Sequence, residues 1–254
     1  MPMIESMIFF PEKTLYEKPE DYGFKHEDVF LKTGDGVTLH GWYLHAPQAK
    51  PEGVILFFHG NAGNISNRLY KMKGWLERGF SALLIDYRGY GKSEGAIRHS
   101  DDVLKDADAA LRWLTDSRKT PLSEIIVYGE SLGTYPAIRL TCDHKVRAVI
   151  LEAPFTSLFD VARTHYPFVL RAMMQQFQFS NIEHIQNLKA PLFILHGNED
   201  EICPYAMAGE LFEKAPEPKG FLSIPNGRHN DLPMIAGEDY FEKPYEFIVK
   251  NAKR

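Results

Sequence analysis

Short apolar runs recur along the chain, and longer stretches with apolar residues at helical spacing separate them. The runs do not alternate with polar residues, which is typical of strands buried on both faces of a sheet. Such strands belong to parallel sheets that helices cover on both sides. The pattern therefore predicts an α/β fold with a doubly wound, mostly parallel sheet. The predicted strands are 53–58, 82–85, 125–127, 146–151 and 191–195.

The stretches between these strands predict helices, and one of the intervals is unusually long. The helices are expected at 65–78, 101–115, 132–142 and 205–214. Ahead of them, residues 29–43 predict a hairpin with a Gly-Asp-Gly turn. The interval 153–189 is far longer than the crossover of about a dozen residues that parallel strands require. We therefore expect a single domain over 1–254, with a small helical cap inserted at 153–189.

Composition and charge exclude several classes of protein. The chain has 254 residues, 44% of them hydrophobic, and its 29 basic and 34 acidic residues give a net charge of −5. This balance provides no basic surface, so we expect no nucleic-acid partner. Two cysteines cannot build a disulfide framework, which favours a reducing, cytoplasmic location and leaves a periplasmic one as the alternative. No apolar run approaches the roughly 18–20 residues of a membrane helix.

A candidate nucleophile lies where the strand predicted at 125–127 ends. The sequence there is Gly-Glu-Ser-Leu-Gly, a GxSxG motif at 129–133, and a predicted helix follows it. So tight a turn from strand to helix strains the serine backbone and exposes the Ser131 hydroxyl above the sheet. The amides at the start of the helix favour negative charge at the same place. The motif alone is weak, but its position between a strand and a helix predicts a nucleophilic Ser131.

A serine nucleophile requires a base, and the base requires an acid that orients it. His229 lies in a polar loop after the last apolar stretch, where a base is expected. Asp200 follows the predicted strand 191–195. The chain order Ser131, Asp200, His229 is that of the nucleophile-elbow fold. The alternative acids, less favoured by their positions, are Glu152, Glu199 and Glu201.

The strand predicted at 53–58 ends in His-Gly-Asn-Ala-Gly-Asn, residues 59–64. Small residues at this strand end bring the backbone close to the nucleophile. The N–H of Asn61 is therefore predicted to pair with the N–H of Leu132 as an oxyanion hole. His59 and His196 each precede a glycine at a strand end, and we expect them to fix their loops by hydrogen bonding.

These motifs together resemble the serine hydrolases of the α/β-hydrolase superfamily. They are HGNAGN (59–64), DYRGYGKSEG (86–95), GESLG (129–133), HGNEDEICP (196–204) and GRHND (227–231). They are most similar to the esterase/lipase-like branch that includes acyl-protein depalmitoylases. The resemblance implies an α/β-hydrolase fold, with a mostly parallel eight-stranded sheet flanked by helices. It also implies that Ser131 is the nucleophile, Asp200 the acid and His229 the base.

Proteins of that branch often carry a hydrophobic anchor before a segment like Phe-Phe-Pro at residues 9–11. Here only residues 1–8 precede it, so either the protein is soluble or a preceding segment is missing from this sequence. The apolar residues near this end either dock on a bilayer or pack on the sheet. We favour packing, and expect no membrane contact, because no basic cluster accompanies them. They are Ile4, Met7, Ile8, Phe9 and Phe10.

Two further patterns resemble binding motifs but lack the residues or the spacing that such motifs require. The sequence GYGKS at 89–93 ends like a phosphate loop, but Asp86 stands where the Walker pattern requires glycine. A second set lacks the spacing of a metal site. We therefore expect neither phosphate nor metal binding, and no cofactor. The members of this second set are His196, Asp200, Glu201 and Cys203.

The predicted cap is rich in Phe and Met. Such residues at helical spacing usually pack in a core, but a segment above the strand ends also presents apolar surface to a substrate. Methionine in particular adapts to varied acyl shapes. Core packing and substrate contact both remain open for Phe155, Met173, Met174 and Phe177.

The residues predict a serine carboxylesterase that hydrolyses acyl esters, or thioesters, through an acyl-enzyme intermediate. Its expected partner is a small acyl ester or lipid-like molecule, and the oligomeric state is not predicted. The same triad cleaves amides, so an amidase or peptidase remains an alternative, as does a hydrolase-fold binding protein without catalysis. Dehalogenase chemistry is disfavoured because it requires a carboxylate in place of Ser131.

Overall fold

The computed structural model describes residues 8–251, and eight of their strands form one central sheet. The order across the sheet is β1-β2-β4-β3-β5-β6-β7-β8. The strand β2 is antiparallel to β1 and β4, and the other neighbours are parallel. The predicted, mostly parallel α/β sheet is therefore confirmed. The strands are β1 (His26–Lys32), β2 (Thr38–Leu44), β3 (Gly53–Phe58), β4 (Phe80–Ile85), β5 (Ile125–Glu130), β6 (Ala148–Glu152), β7 (Leu192–Gly197) and β8 (Lys219–Ile224).

The burial of each strand follows its place in the sheet. Every residue of β3, β4, β5 and β6 is buried, as their continuous apolar runs predict. The edge strand β1 instead alternates, with Val29 and Leu31 buried and Phe30 exposed. The strand predicted at 82–85 begins earlier, because Phe80 already pairs with Gly53 of β3.

Helices follow the strands as predicted, with differences at their ends. The first prediction, 65–78, divides into a 3-10 turn (Ile65–Arg68) and a helix, and the second ends in a π-helical turn (Trp113–Ser117). The third begins as a 3-10 turn at Ser131–Gly133. The helices are α1 (Leu69–Glu77), α2 (Ser100–Arg112), α3 (Thr134–Asp143), α4 (Leu158–His165), α5 (Tyr205–Lys214), α6 (Leu232–Ala236) and α7 (Asp239–Asn251).

Two apolar cores lie on opposite faces of the sheet. On one face α2, α3 and α5 contribute Val103, Ile138 and Leu211. On the other face α1 and α7 contribute Trp75 and Ile248. Each large apolar side chain buried in this way stabilises the fold by about 1.5–3 kcal/mol relative to exposure. The two cores hold the carboxyl ends of the parallel strands in one row.

The long interval after β6 forms a short helical insertion. It contains α4 and the 3-10 turns Arg171–Met174 and Ile185–Asn187. Its base is closed by a bridge between Ser157 and Ser180. At its far end the structure leaves Phe168 93% exposed. That this insertion caps the site remains a prediction.

The approach of α3 to β3 is unusually close and depends on one glycine. A Cβ atom on Gly133 would lie 2.1 Å from the carbonyl oxygen of Phe58. The φ angle of Gly133 is −64°, so the constraint is steric and not conformational. The start of α3 therefore contacts the carboxyl end of β3 directly.

We expect Gly133→Ala to lower the free energy of unfolding by about 1–3 kcal/mol or more, because the added methyl group separates α3 from β3. Urea unfolding followed by circular dichroism measures the change. The matched control is Gly209→Ala in α5, where an added Cβ meets no atom within 4 Å. It should stabilise the protein by up to about 1 kcal/mol through helix propensity. Equal stabilities for the two variants would contradict the close approach.

Candidate active site

Ser131 lies at the turn between β5 and α3 in a conformation that non-glycine residues rarely adopt. Its φ angle is +50°, in the left-handed region, which costs on the order of 1–3 kcal/mol. The flanking glycines allow the turn, since a Cβ on Gly129 would lie 2.4 Å from the carbonyl oxygen of Gly133. The strained elbow predicted for Ser131 is therefore present, and the serine remains partly exposed.

Three strand ends bring Ser131, His229 and Asp200 together. The Oγ of Ser131 lies 3.0 Å from Nε2 of His229, and Nδ1 of His229 lies 2.7 Å from Oδ2 of Asp200. Since a carboxylate only accepts hydrogen bonds, Nδ1 carries the proton and Nε2 accepts from the serine hydroxyl. The arrangement is a connected relay from a hydroxyl to a buried carboxylate.

The surroundings of Asp200 keep it ionised. Its Oδ1 accepts hydrogen bonds from the amides of Ile202 at 2.8 Å and Cys203 at 2.7 Å. Burial favours the neutral acid, but the hydrogen bonds of His196 and His229 outweigh it and hold the pKa of Asp200 well below its usual range. His196 also contacts the carbonyl of Cys203 at 2.9 Å, so its predicted role in fixing the loop is confirmed.

The alternative acids lie elsewhere. Glu199 and Glu201 are exposed, and Glu201 accepts only a long hydrogen bond, 3.4 Å, from the backbone amide of His229. Glu152 is buried and binds Lys71 at 2.9 Å. The imidazole of His229 therefore has Asp200 as its carboxylate partner.

The two predicted oxyanion-hole residues lie on separate segments next to Ser131. A Cβ on Gly60 would be 3.4 Å from the Cβ of Ser131, so the segment that leads to Asn61 runs beside the nucleophile. Asn61 is tied down by its other groups: its side chain donates to the carbonyl of Ile8, and its carbonyl accepts from Tyr90 Oη at 2.7 Å. Leu132 lies in the first turn of a helix, where amides have no helical acceptor. Oxyanion binding by this pair remains a prediction.

The predicted substrate-contact residues separate into two groups. Phe155, Met174 and Phe177 are buried, whereas Met173 is 53% exposed. Met174 and Phe177 also line a small cavity of about 80 Å³ within the insertion. The three buried side chains therefore pack in the interior. Contact with a substrate remains a prediction for all four residues.

The N-terminal apolar residues also divide. Phe9 is buried, with its ring 5.3 Å from that of Phe177, so its predicted packing is present. Ile8 is partly buried and Phe10 is 54% exposed. Ile4 and Met7 lie outside the described residues.

The insertion reaches the loop that carries Asp200. Nε2 of His165, at the end of α4, lies 3.0 Å from the carbonyl oxygen of Ile202. The exposed apolar side chains that follow α4 therefore extend from a point close to the relay. They are Tyr166, Phe168, Leu170 and Met173.

A buried ionic network next to the elbow was not predicted. Glu130, which precedes Ser131, binds Arg68 and Lys71, and Lys71 also binds Glu152. Glu152 in turn accepts hydrogen bonds from the hydroxyls of two buried tyrosines. The signal was available in the sequence: two carboxylates end neighbouring buried strands, and such a pair requires a cation. The tyrosines are Tyr128 and Tyr240.

The glycine-rich loop 89–93 is held by internal hydrogen bonds. Ser93 is buried, donates to the carbonyl of Asp86 at 2.7 Å, and accepts from the amide of His40 at 2.8 Å. This hydroxyl is thus engaged within the fold. Among residues 8–251, no group of three His, Cys, Asp or Glu side chains is placed to hold a metal ion.

We expect Asp200→Asn to lose stability in a pH-dependent manner. The folded protein holds the pKa of Asp200 below its unfolded value, so the ionised group stabilises the fold above roughly pH 4–5, and this contribution is lost as the pH falls further. Unfolding free energies of wild type and variant should therefore differ most near neutral pH, and the difference should shrink progressively as the pH falls below about 4. Glu210→Gln, on the exposed side of α5, controls for the loss of one carboxylate. A difference that does not change with pH would contradict this account.

Comparisons of the sequence with known proteins agree with the fold. The profile of the family described as serine aminopeptidase, S33, matches residues 49–181. An uncharacterized protein of Mycobacterium tuberculosis is 32% identical over 247 residues, which cover 97% of this chain and 87% of that protein. The α/β hydrolase domain-containing protein WAV2 of Arabidopsis thaliana is 31% identical over 272 residues, covering 98% of this chain and 88% of its own length.

The solved structure of an esterase from Pyrococcus furiosus has the same fold, with a TM-score of 0.81 at 21% identity. The matched region covers 96% of this chain and 98% of the esterase.

Among the helices of residues 8–251, none has both the length and the hydropathy that crossing a bilayer requires. The fold, the relatives and the matched profile agree: the chain belongs to the serine aminopeptidase S33 family and is an α/β hydrolase.

Proposed function

We propose that the protein is a serine carboxylesterase that hydrolyses acyl esters or thioesters. The observation that carries the proposal is the relay from Ser131 through His229 to Asp200, with contacts of 3.0 Å and 2.7 Å. These are the distances at which a base removes a proton from a nucleophile and an acid orients the base. The left-handed φ of Ser131 presents its hydroxyl at the end of that relay.

In the proposed reaction, the Oγ of Ser131 attacks the carbonyl carbon while Nε2 of His229 takes the hydroxyl proton. The carbonyl π electrons move to oxygen, and the amides of Asn61 and Leu132 stabilise the resulting oxyanion. Collapse of this intermediate breaks the bond to the leaving group, which receives the proton from His229 and leaves an acyl-enzyme. Water then attacks the acyl-enzyme by the same steps and releases the acid.

The electrostatics of the site favour this sequence of charges. Asp200 stays ionised and stabilises the imidazolium that forms on His229. In the proposed geometry, negative charge would develop on the substrate oxygen near the start of α3, where the helix dipole favours it. A single oxyanion donor contributes about 2.7–4 kcal/mol to the transition state. No step requires a metal or an organic cofactor.

Amide hydrolysis is the second candidate, because the matched family is described as serine aminopeptidase. The relay serves both reactions, since His229 can protonate an amine as well as an alkoxide. The proposal favours esters because the segment that follows α4 exposes large apolar side chains, Phe168 and Leu170 among them, and these suit an acyl or lipid-like partner. A cytoplasmic location is part of the proposal and rests on two free thiols, Cys142 and Cys203.

We expect Ser131→Ala to lower kcat for p-nitrophenyl butyrate by on the order of a millionfold, because a triad acts as one unit. A fluorophosphonate probe should label the wild type and leave this variant unlabelled. Ser223→Ala, at an exposed position of β8, should retain both activity and labelling. A folded wild type without labelling would favour a binding protein, and activity that survives Ser131→Ala would refute the nucleophile.

We expect kcat/KM for p-nitrophenyl esters to rise with acyl length, since each methylene buried against apolar side chains contributes up to about 0.8 kcal/mol. A palmitoyl thioester should also be cleaved, whereas aminoacyl p-nitroanilides should show only the rate of Ser131→Ala. A sharp optimum at short acyl chains would argue against a lipid-like substrate. Rapid cleavage of the anilides would favour a peptidase.

A further inference from the structure

The proposed oxyanion hole draws its two amides from different parts of the chain. Asn61 follows β3 and Leu132 follows β5, and the strands themselves end at Phe58 and Glu130. A catalytic geometry must be held within about 0.5 Å by residues that are themselves locked in place. The strand ends and the contact at Gly133 place the two loops side by side, and a side chain that binds both loops would fix their spacing further.

Arg68 contacts both loops. Its Nε lies 3.0 Å from each carboxylate oxygen of Glu130, the residue before Ser131. Its Nη2 donates to the carbonyl oxygen of Ala62, the residue after Asn61, at 3.1 Å. One planar guanidinium therefore joins the nucleophile elbow to the oxyanion loop, and its rigid fork fixes both distance and angle.

The network described above also holds Glu130 through Lys71. Lys71 Nζ lies 2.8 Å from Glu130 and 2.9 Å from Glu152. The other oxygen of Glu152 accepts from Tyr128 Oη at 2.8 Å and Tyr240 Oη at 2.7 Å. Glu130 thus connects Arg68 to a set of groups anchored in β5, β6, α1 and α7.

The oxyanion loop lies directly on this ion pair. A Cβ on Gly60 would be 3.0 Å from Oε1 of Glu130 and 3.5 Å from Nη2 of Arg68. Displacement of either side chain would therefore shift the backbone that leads into Asn61. The same backbone runs beside Ser131, so the ion pair and the nucleophile contact one loop.

Charge is the second consideration. Glu130 is ionised, because burial alone would raise its pKa but Arg68 and Lys71 lower it well below its usual range. A carboxylate next to Ser131 would oppose a developing oxyanion if it were not neutralised. Arg68 and Lys71 balance Glu130 and Glu152, so the network as a whole adds no net charge next to the site.

Stability alone does not account for this arrangement. Buried ion pairs are often no better for stability than apolar side chains of the same volume, because both charges lose hydration. The side chains of Arg68 and Glu130 are only 13% and 10% exposed, so they carry this cost. A positional role explains why charges occupy a place that apolar groups could fill.

We propose that Arg68 and Glu130 are positioning residues that hold the amides of Asn61 and Leu132 at the spacing that the oxyanion requires. Neither side chain touches the reacting atoms in this proposal, and each acts through the backbone of its neighbours. The proposal rests on the proposed esterase function. Its consequence is that transition-state binding depends on Arg68 while ground-state binding does not.

The test measures kcat and KM for p-nitrophenyl butyrate in Arg68→Met, Arg68→Lys and Glu130→Gln. We expect Arg68→Met to lower kcat about 10- to 100-fold, the loss that misplacement of catalytic groups produces, with KM changed less than about threefold. Arg68→Lys keeps the charge but not the fork, so its loss should be smaller and in the same direction. Glu130→Gln keeps the shape and should resemble Arg68→Lys.

A transition-state analogue separates positioning from general damage. An alkyl trifluoromethyl ketone forms a hemiketal oxyanion with the serine, whereas butyrate binds as a ground-state ligand. In each variant, the affinity for the ketone should fall by the same factor as kcat/KM, and the inhibition constant of butyrate should stay constant. Near-ultraviolet circular dichroism establishes which variants are folded, and the two conservative variants keep the test valid if Arg68→Met is not.

Arg78→Met is the matched control. Arg78 is also largely buried, and it binds two carboxylates, Glu238 and Glu242, each at 3.1 Å. It flanks the end of α1 opposite to Arg68, so kcat and ketone affinity should equal those of the wild type. An effect of Arg78→Met as large as that of Arg68→Met would overturn the proposal.

Two other results would also overturn it: folded Arg68 variants with wild-type kcat, or a fall in kcat without loss of ketone affinity. Failure of the esterase proposal is distinguishable from both. In that case the wild type itself would show neither ester hydrolysis nor fluorophosphonate labelling, and the positioning role would be refuted together with the esterase.

Discussion

The close contact between the start of α3 and the end of β3 is the constraint on which the site depends. A side chain at Gly133 would overlap the carbonyl of Phe58, so only a glycine lets the helix begin so near the sheet. Ser131, two residues before this contact, has a left-handed φ of +50°. The contact also brings the start of the helix next to the loop after β3. The strain at Ser131 is supported by two large apolar cores.

Carboxylates at strand ends are the second feature that organises the site, and their binding partners differ. Asp200 is held by backbone amides and two histidines, which leaves its charge directed at His229. Glu130 and Glu152 are instead neutralised by Arg68 and Lys71. One negative charge therefore faces the imidazole that would become cationic in the proposed reaction, while the two nearest the elbow are balanced. In the proposed reaction, an oxyanion that forms next to the elbow would therefore not meet an unbalanced negative charge.

The insertion after β6 contributes both to the core and to the surface. Phe177 and Phe179 are buried against Phe9, which ties the N-terminal segment to the insertion. Phe168 and Leu170 remain exposed at its far end. A segment with this division is stable at its base and adaptable at its tip, because only the base is fixed by packing.

Much of this protein was determined by local sequence. Patterns among neighbouring residues predict the strands, the helices and the elbow at Ser131. The chain order of Ser131, Asp200 and His229 is likewise visible in the sequence without knowledge of the fold. Partners distant in the chain were decided only by tertiary structure. Lys71 reaches Glu130 and Glu152, which lie 59 and 81 positions away, and no local pattern pairs them. Likewise, adjacent Met173 and Met174 differ in exposure because packing, and not composition, selects which side chain faces the core.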